Sequence, residues 1–460
     1  MNVVLLSTYD LGHQPFGLAS PAAWLKRAGA NVVCNDLAVE DLNTTAVVAA
    51  DLIALHVPMH TAARLSLQLL RSVTALNARA LLVCYGMYAP ANQSDLKDAG
   101  VEIVIGGEAE TKLVEVYQRM LDGQSVRHLS TKALTKQQYI RPDRCGLPDL
   151  YKYAHLLGPD NEITIAGYSE TSRGCKHLCR HCPVVPAYGG RFFIVGVNVV
   201  LEDIDQQVEM GARHITFGDP DFFNGPGHAM RVVEALAKRH PKLTYDVTIK
   251  VEHLRHHHEL LPRLVETGCL FVTTAVESFD DTVLLALNKG HSRSDFSDAL
   301  EICKAVGLQV SPTFVPFTPW TTPESYLDLL QQIVLLELVL RVAPIQLAIR
   351  LLVPRDSLLL SSPFFSRFLG SYDAESLSYL WHYADPGMIL MEQKIRVIVE
   401  KDVPIGVPIQ DTFAKIWRVA HESADRIAPS ISVANCEPVW SMSEPWYCCA
   451  EPTAEQFDRL

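Results

Sequence analysis

The sequence predicts an α/β protein in three parts: a Rossmann-like, doubly wound parallel sheet, a partial (β/α)6 TIM-type barrel, and a helical C-terminal region. Three observations predict it. Short apolar runs alternate with helical patterns from the first residues onward, as in a parallel sheet covered on both faces. The alternation resumes after a connector, with six strand–helix repeats. Beyond residue 355 it gives way to longer helical patterns.

In the first part, residues 1–125, the strands are Val3–Ser7, Ala30–Cys34, Asp51–Val57, Ala80–Tyr85 and Val101–Ile105, with Pro21–Ala28 a helix between the first two. Ligands of such sheets bind at the carboxyl ends of strands, which points to the loops Tyr9–Gly17, His56–Ala62 and Tyr85–Ala91. Residues 126–162 form a connector of little periodicity. In the barrel, residues 163–355, strands are expected at Ile163–Gly167, His214–Phe217, Leu243–Thr248, Leu270–Ala275, Gln309–Phe314 and Ile345–Leu351. Helices fit between them, as at Gly227–Arg239 and Arg293–Val306. In the last part, residues 356–460, helices are expected at Ala374–Trp381, Met388–Lys401 and Thr412–Ser423, with an irregular stretch from Pro429 to Leu460.

The composition narrows the function classes. The 460 residues are 48% hydrophobic and 20% charged, too apolar for a disordered chain. The formal charge of −12 argues against a broad nucleic-acid footprint. The most apolar stretch, Ile333–Val353, contains Glu337, Arg341, Pro344 and Arg350, so it does not read as a membrane span. Met-Asn-Val-Val-Leu-Leu starts a strand at once, without the basic region of an export signal. The expectation is a cytoplasmic protein with neither nucleic-acid nor membrane partners. In that setting, 11 cysteines suggest metal or redox chemistry more than a disulfide framework.

The sharpest motif is Cys175-Lys-His-Leu-Cys179-Arg-His-Cys182. Three thiolates at this spacing, in a loop after a strand, suit three irons of a [4Fe–4S] cluster and leave the fourth iron open to a ligand. A zinc site, which normally closes four positions with protein donors, is the alternative, with His177 and His181 as further ligands.

This arrangement resembles the radical S-adenosylmethionine (SAM) superfamily, over about residues 160–355. The resemblance implies a [4Fe–4S] cluster on Cys175, Cys179 and Cys182 whose open iron chelates SAM, reductive cleavage of a sulfonium C–S bond, and an external electron donor such as flavodoxin or ferredoxin. Ile215-Thr-Phe-Gly-Asp219-Pro-Asp221 resembles the family's second strand and loop, which implies Gly218 and Asp219 at the SAM amino group. Thr274-Ala-Val-Glu277-Ser278 with Asn288-Lys289-Gly290 resembles its fourth strand, which implies Glu277 and Ser278 at the ribose hydroxyls. Lys250 and Glu252 lie near the third strand's end and are further cofactor candidates. Arg350 resembles an arginine on the last strand. His181 stands where the family commonly has an aromatic residue near adenine, and imidazole can stack there.

With the barrel, residues 1–125 resemble the cobalamin-binding domain of cobalamin-dependent radical SAM proteins, and Gly106-Gly-Glu-Ala-Glu-Thr-Lys-Leu is similar to the segment closing such domains. Asp10-Leu-Gly-His13-Gln-Pro-Phe-Gly17 is one residue off the family's D-x-H-x-x-G pattern on each side of the histidine. His13 is the candidate cobalamin ligand, with cobalamin as a possible cofactor.

The chain closes on Cys436-Glu-Pro-Val-Trp-Ser-Met-Ser-Glu-Pro-Trp-Tyr-Cys448-Cys449-Ala-Glu-Pro, which resembles the CUAEP/CCAEP-tail radical SAM family. A position that takes sulfur or selenium asks for a soft, easily ionised nucleophile or ligand. Cys448 and Cys449 suit a redox dithiol or a hydrogen donor, and with Cys436 they suit a trithiolate pocket for a thiophilic element such as trivalent arsenic. The leading expectation is transfer of a SAM-derived carbon group (aminocarboxypropyl, adenosyl or methyl) to such a small-molecule or metalloid acceptor. The alternatives are cobalamin-dependent methylation of an unactivated carbon and, in another class, a zinc-binding non-enzymatic sensor. Cys34, Cys84, Cys269 and Cys303 lie in apolar contexts and read as core.

Overall fold

The computed structural model describes residues 1–126, 132–160, 162–431, 439–444 and 451–460. The first sheet is made by β1 (Asn2–Ser7), β2 (Asn31–Asp36), β3 (Leu52–His56), β4 (Leu81–Tyr85), β5 (Ile103–Gly107) and the short β6 (Lys132–Ala133). All pairings are parallel, in the order β2-β1-β3-β4-β5-β6. Both faces of β1 and β3 are buried, each against its own apolar cluster. That explains their unbroken apolar runs: an alternating pattern would put polar groups under a helix. The strand order reverses between β1 and β3, so the crevice of this sheet lies at their carboxyl ends.

The second sheet starts with β7 (His155–Leu157) and β8 (Ile163–Ser169). A hairpin of β9 (Ser172–Gly174) and β10 (Phe192–Ile194) follows and holds the cysteine loop between its strands. Then come β11 (His214–Phe217), β12 (Thr244–Thr248), β13 (Cys269–Glu277) and β14 (Gln309–Phe314). Strands β8 and β11 to β14 are parallel neighbours and form a curled half-barrel. Ile215, Phe217, Tyr245, Val247 and Val272 pack with Val232, Val233 and Leu236 of the helix Pro226–Arg239 in one core. Paired residues in register share a face, so Tyr168, Thr216, Asp246, Phe271 and Gln309 form one row on the opposite face.

The expected sixth strand, Ile345–Leu351, is corrected. Pro344 opens a single 3-10 turn, Pro344–Leu347, and only a bridge between Phe317 and Arg350 remains of the pairing. The expected helix Ala374–Trp381 is also corrected, to an antiparallel hairpin of β15 (Leu369–Asp373) and β16 (Ser378–Trp381). The Asp373 carboxylate accepts from the amides of Glu375 and Ser376, and Leu377 takes a φ of +52°, so the chain turns instead of coiling. The other two helices are present as Gly387–Asp402 and Ile409–Ser423.

Residues of the connector and of the stretch expected to be irregular extend the barrel sheet. β7 runs antiparallel beside β8, and β17 (Ser441–Met442) pairs antiparallel with β7. Gln309, at the start of β14 on the opposite edge, clasps the Trp440 peptide. Its amide donates to the Trp440 carbonyl at 2.7 Å and accepts from the Trp440 N–H at 2.9 Å. The C-terminal strand thus ties the two edges of the curled sheet together. Among the described residues, no helix is long and apolar enough to cross a membrane.

Candidate active site

The carboxyl end of the first sheet abuts that of the half-barrel, with the cysteine loop at their junction. A buried ion-pair hub makes the join. Arg173, at the centre of β9, meets Glu110 at 2.6 Å, Glu108 at 3.2 Å and Glu170 at 2.7 Å. Its guanidinium also lies over the Phe16 and Tyr139 rings. Glu108 further accepts from Tyr139 at 2.6 Å and Tyr188 at 3.0 Å. Burial raises Glu108 and lifts Glu170 to about 7. Burial would raise Glu110 as well, but Arg173 overrides it and holds Glu110 below its usual range. A second tie is Arg144, which donates to Gln14, to Asp203 and to the Tyr168 carbonyl.

Gly174, with φ +80°, leads into the loop. A Cβ there would meet the Tyr188 ring at 2.5 Å, so only glycine lets the chain pass beneath it. Cys175 and Cys179 are buried, Cys182 is half-buried, and Cys175 packs with Val184 and Tyr188. Burial pushes the Cys175 thiol up to about 11 and Cys182 to about 12, each raised further by Cys179. A bound metal centre would be needed to hold such groups as thiolates at neutral pH. Three soft donors carried on one loop fit an iron–sulfur cluster in chemistry and number.

Across the loop, His181 Nε2 and Lys289 Nζ each lie 3.1 Å from Glu277 Oε1. Glu277 has φ +69° and sits at a register shift in β13, an uncommon backbone for a side chain and a means of re-aiming it. Burial raises its pKa, but Lys289 and His181 more than offset that and hold it near 2. Ser278 Oγ accepts from the Asp280 amide. Asp219 is fully engaged: it accepts from the Thr171 amide at 2.8 Å, the Thr171 hydroxyl at 2.7 Å and the Ser172 hydroxyl at 2.6 Å. Burial still lifts it to about 6. Gly218 lies directly under the Tyr168 hydroxyl. Lys250 Nζ is 3.5 Å from Glu252, and Glu252 is 3.8 Å from His177.

Among the described residues, one set of three donor atoms lies within 4.8 Å: Cys175, His177 and Asp221. His253 Nδ1 is 2.7 Å and His177 Nε2 3.2 Å from the same Asp221 oxygen. Burial raises Asp221, and the two histidines override it and hold the pKa well below the usual range.

His13 stacks on Tyr168 with ring centroids 4.9 Å apart, and burial lowers its pKa to about 4. His56, at the end of β3, lies against Gly17 and beside Tyr85, and its Nδ1 has no hydrogen-bond partner. Burial, then Arg173, lowers His56 to about 3. Asp10 is 3.9 Å away and raised well above its usual value by burial, then by Glu170 and Asp36. The two imidazoles are therefore neutral at pH 7, as a nitrogen ligand must be.

Cys436, Cys448 and Cys449 lie outside the described residues. Of their described neighbours, Glu444 accepts from the Tyr9 hydroxyl at 2.7 Å, and Glu451 pairs with His60 at 3.2 Å and with Arg64. Arg350 holds Glu392 at 2.8 Å and lies over the Trp381 ring. Cys84, Cys269 and Cys303 are core, and Cys34 is half-buried.

Sequence reasoning did not single out Arg173, Glu110, His56 or the Asp221–His253 pair. Ser172-Arg173-Gly174 immediately before the first cysteine, and the two glutamates after Gly107, were the available signals.

The comparisons agree with this geometry. Residues 169–333 match the profile of the Radical SAM superfamily. The chain carries a radical SAM domain. The curated relatives include the hopanoid C-3 methylase of Methylococcus capsulatus, 25% identical over 37% of this chain and 33% of that protein. The bacteriochlorophyllide d C-8(2)-methyltransferase of Chlorobaculum tepidum is 28% identical over 32% of this chain and 34% of that protein. The alignments span about a third of each. Among solved structures, the cobalamin-dependent SAM radical enzyme OxsB, with aqua-cobalamin and SAM bound, superposes with a TM-score of 0.65 at 13% identity. It covers 88% of this chain and 67% of its own. The radical SAM methyltransferase TsrM of Kitasatospora setae, with tryptophan and a SAM analogue bound, gives 0.60 at 16% identity over 75% and 72%. Both share the fold with this chain over a stretch longer than the radical SAM domain.

Proposed function

We propose that this chain is a SAM-dependent radical transferase that carries cobalamin on its first sheet and methylates an unactivated carbon. The observation that carries the reading is the opposition of two carboxyl edges, the site-bearing ends of both sheet types, across the cysteine loop. It is supported by the cobalamin dependence printed for OxsB and by the methyltransferase relatives.

In this reading Cys175, Cys179 and Cys182 hold a [4Fe–4S] cluster that, when bound and reduced, supplies the electron that cleaves SAM. Glu277, locked as a carboxylate by Lys289 and His181, accepts from ribose hydroxyls, with Ser278 beside it. Asp219 orders Thr171 and Ser172 at the cluster loop's entry, and through them the backbone facing the SAM amino group. Lys250 and Glu252 line the third strand's end. His13 and His56 are the neutral imidazoles available to a corrin. The Arg173 hub excludes water from the seam.

Anaerobic reconstitution with iron and sulfide, corrinoid supplementation, then SAM and dithionite, tests it. Expected are cluster absorbance, a retained corrinoid and 5′-deoxyadenosine. Zinc in place of iron refutes the cluster. A protein that never retains corrinoid refutes the methyltransferase.

The second reading keeps the tail as acceptor: transfer of a SAM-derived carbon group to trivalent arsenic held by Cys436, Cys448 and Cys449. It is favoured by Glu444 and Glu451, which flank the cysteine pair in sequence and touch the first sheet's carboxyl edge. Arsenite incubation with mass spectrometry separates it. Under this reading 5′-methylthioadenosine marks aminocarboxypropyl transfer, and Cys→Ser tail variants lose the arsenic–carbon product.

A further inference from the structure

Three buried polar atoms stand together without a hydrogen-bond partner among the described residues: Asp221 Oδ2, His177 Nε2 and His253 Nδ1. They lie close, His253 Nδ1 at 2.7 Å and His177 Nε2 at 3.2 Å from the one carboxylate oxygen. Yet neither contact has the geometry of a hydrogen bond, because neither ring N–H direction points at the oxygen. Buried polar atoms without partners are uncommon, and three in one contact ask for a shared partner. A cation supplies it, since its donors need to point at the ion and not at each other. The spacing fits: donors about 2.0–2.2 Å from one ion, at tetrahedral or octahedral angles, stand about 3 Å apart.

The surroundings prepare the three donors. Asp221 follows β11, and its other oxygen accepts from the Phe223 amide at 3.3 Å and the Lys250 amide at 3.5 Å. Contacts of that kind orient a metal-binding carboxylate. His177 comes from the cysteine loop, and His253 from the helix Val251–His256 that follows β12. Asp221 is fully buried and His253 nearly so. The donor set selects the ion. Two imidazoles and one carboxylate suit a borderline ion such as zinc or ferrous iron, whereas calcium and magnesium take oxygen donors.

We propose that Asp221, His177 and His253 hold one divalent ion of the zinc type, separate from the metal centre of the three cysteines. The donor set contains no thiolate, so it differs from a zinc site built on the cysteines and leaves Cys175, Cys179 and Cys182 free. The ion ties the cysteine loop, through His177, to the carboxyl ends of β11 and β12. The proposal does not use the [4Fe–4S] reading, and its test separates the two.

The test uses the full chain as C175A/C179A/C182A, stripped with a chelator and titrated with cobalt as a visible probe for a zinc site. One equivalent of cobalt should bind, with d–d absorption, no thiolate charge-transfer band, and displacement by zinc. H253Q on that background should weaken cobalt binding at least tenfold, since losing a ligand costs no less than losing a ligand's hydrogen-bond partner, about 10- to 100-fold. Cobalt bound by the wild type but not by the cysteine variant would place the ion on the thiolates and overturn the site. An unchanged affinity in H253Q overturns it too. If the cysteine variant does not fold, metal analysis of the reconstituted wild type and H253Q decides. The wild type should carry one zinc besides its cluster iron, and H253Q should lose the zinc and keep the iron. Loss of both together would mean that His253 serves the cluster, and refutes a separate site.

Discussion

Replacing Arg173 with Met removes the one cation among Glu108, Glu110 and Glu170 and keeps most of its apolar volume. Removing one partner of a buried pair costs about 3–5 kcal/mol because the other charge is left uncompensated. The pKa shifts indicate where that cost falls. Glu170 sits near 7 even with Arg173 present, so it adapts by protonation. Glu110 is held below 4.5 by Arg173 against the burial that raises it. Without Arg173 that burial pushes it above 4.5, and keeping it protonated at pH 7 costs about 3 kcal/mol. The sign follows. In the wild type, a depressed Glu110 contributes stability above pH 4.5 and loses it as pH falls. In the variant, a raised Glu110 contributes below 4.5 and loses it as pH rises. The gap between the two proteins therefore widens from pH 5 to pH 8. Hydrogen exchange of peptides covering Gly106–Leu113 and Ser172–Cys175 reads the local stability, which whole-chain denaturation of a multi-part protein would blur. A gap that stays within about 0.5 kcal/mol at both pH 5 and pH 8 would refute the hub as the element joining the sheets.

Three further outcomes are expected. Cys→Ala at 175, 179 or 182 should abolish the brown chromophore and iron retention, whereas C303A, in the core, should keep both; iron and sulfide analysis reads it. Q309L removes both bonds to the Trp440 peptide, costing about 1–3 kcal/mol, and limited proteolysis should then release the C-terminal residues faster with the barrel intact. Glu277, held near 2 by Lys289 and His181, contributes about 3 kcal/mol above pH 4.5 that is lost as pH falls toward 2. Wild type and E277Q should therefore converge in local stability below about pH 3, and a constant difference down to pH 2 would sink that assignment.

Strands β1 to β5, β8 and β11 to β14 were legible because each is short and bounded by polar loops, whereas β6, β7 and β17 lie in stretches expected to be a connector or irregular. β11 and β14 start and end at the residues expected. Ala374–Trp381 was misjudged because eight residues do not separate helix from hairpin by periodicity; the side-chain turn at Asp373 and the left-handed Leu377 decide it locally. The cysteine triplet was legible because its donors are neighbours in sequence. The Arg173 hub was not, because its partners lie 63 and 65 residues away and only the docking of the two sheets brings them together. Lys289 stood in a motif already singled out, yet its pairing with Glu277 depends on the backbone of Glu277, which no residue type announces.

The cysteine loop is bracketed by two buried ion pairs: Arg173 with Glu110 on its entry side, and Lys289 with Glu277 on its exit side. Burial lowers His13 and His56 to about 4 and about 3 and raises Asp10 well above its usual value, in contrast to the carboxylates of the two brackets, Glu110 and Glu277, which are held below theirs. If the loop moves as one body, the brackets are not independent. Once either pair is cut, the loop is partly released, and cutting the other costs less. A cycle of R173M, K289M and the double variant should then be subadditive by about 1 kcal/mol, although the two cations touch different partners. Additive costs would mean each bracket stabilises only its own sheet edge. Subadditive costs would mean the two pairs jointly hold the loop's position.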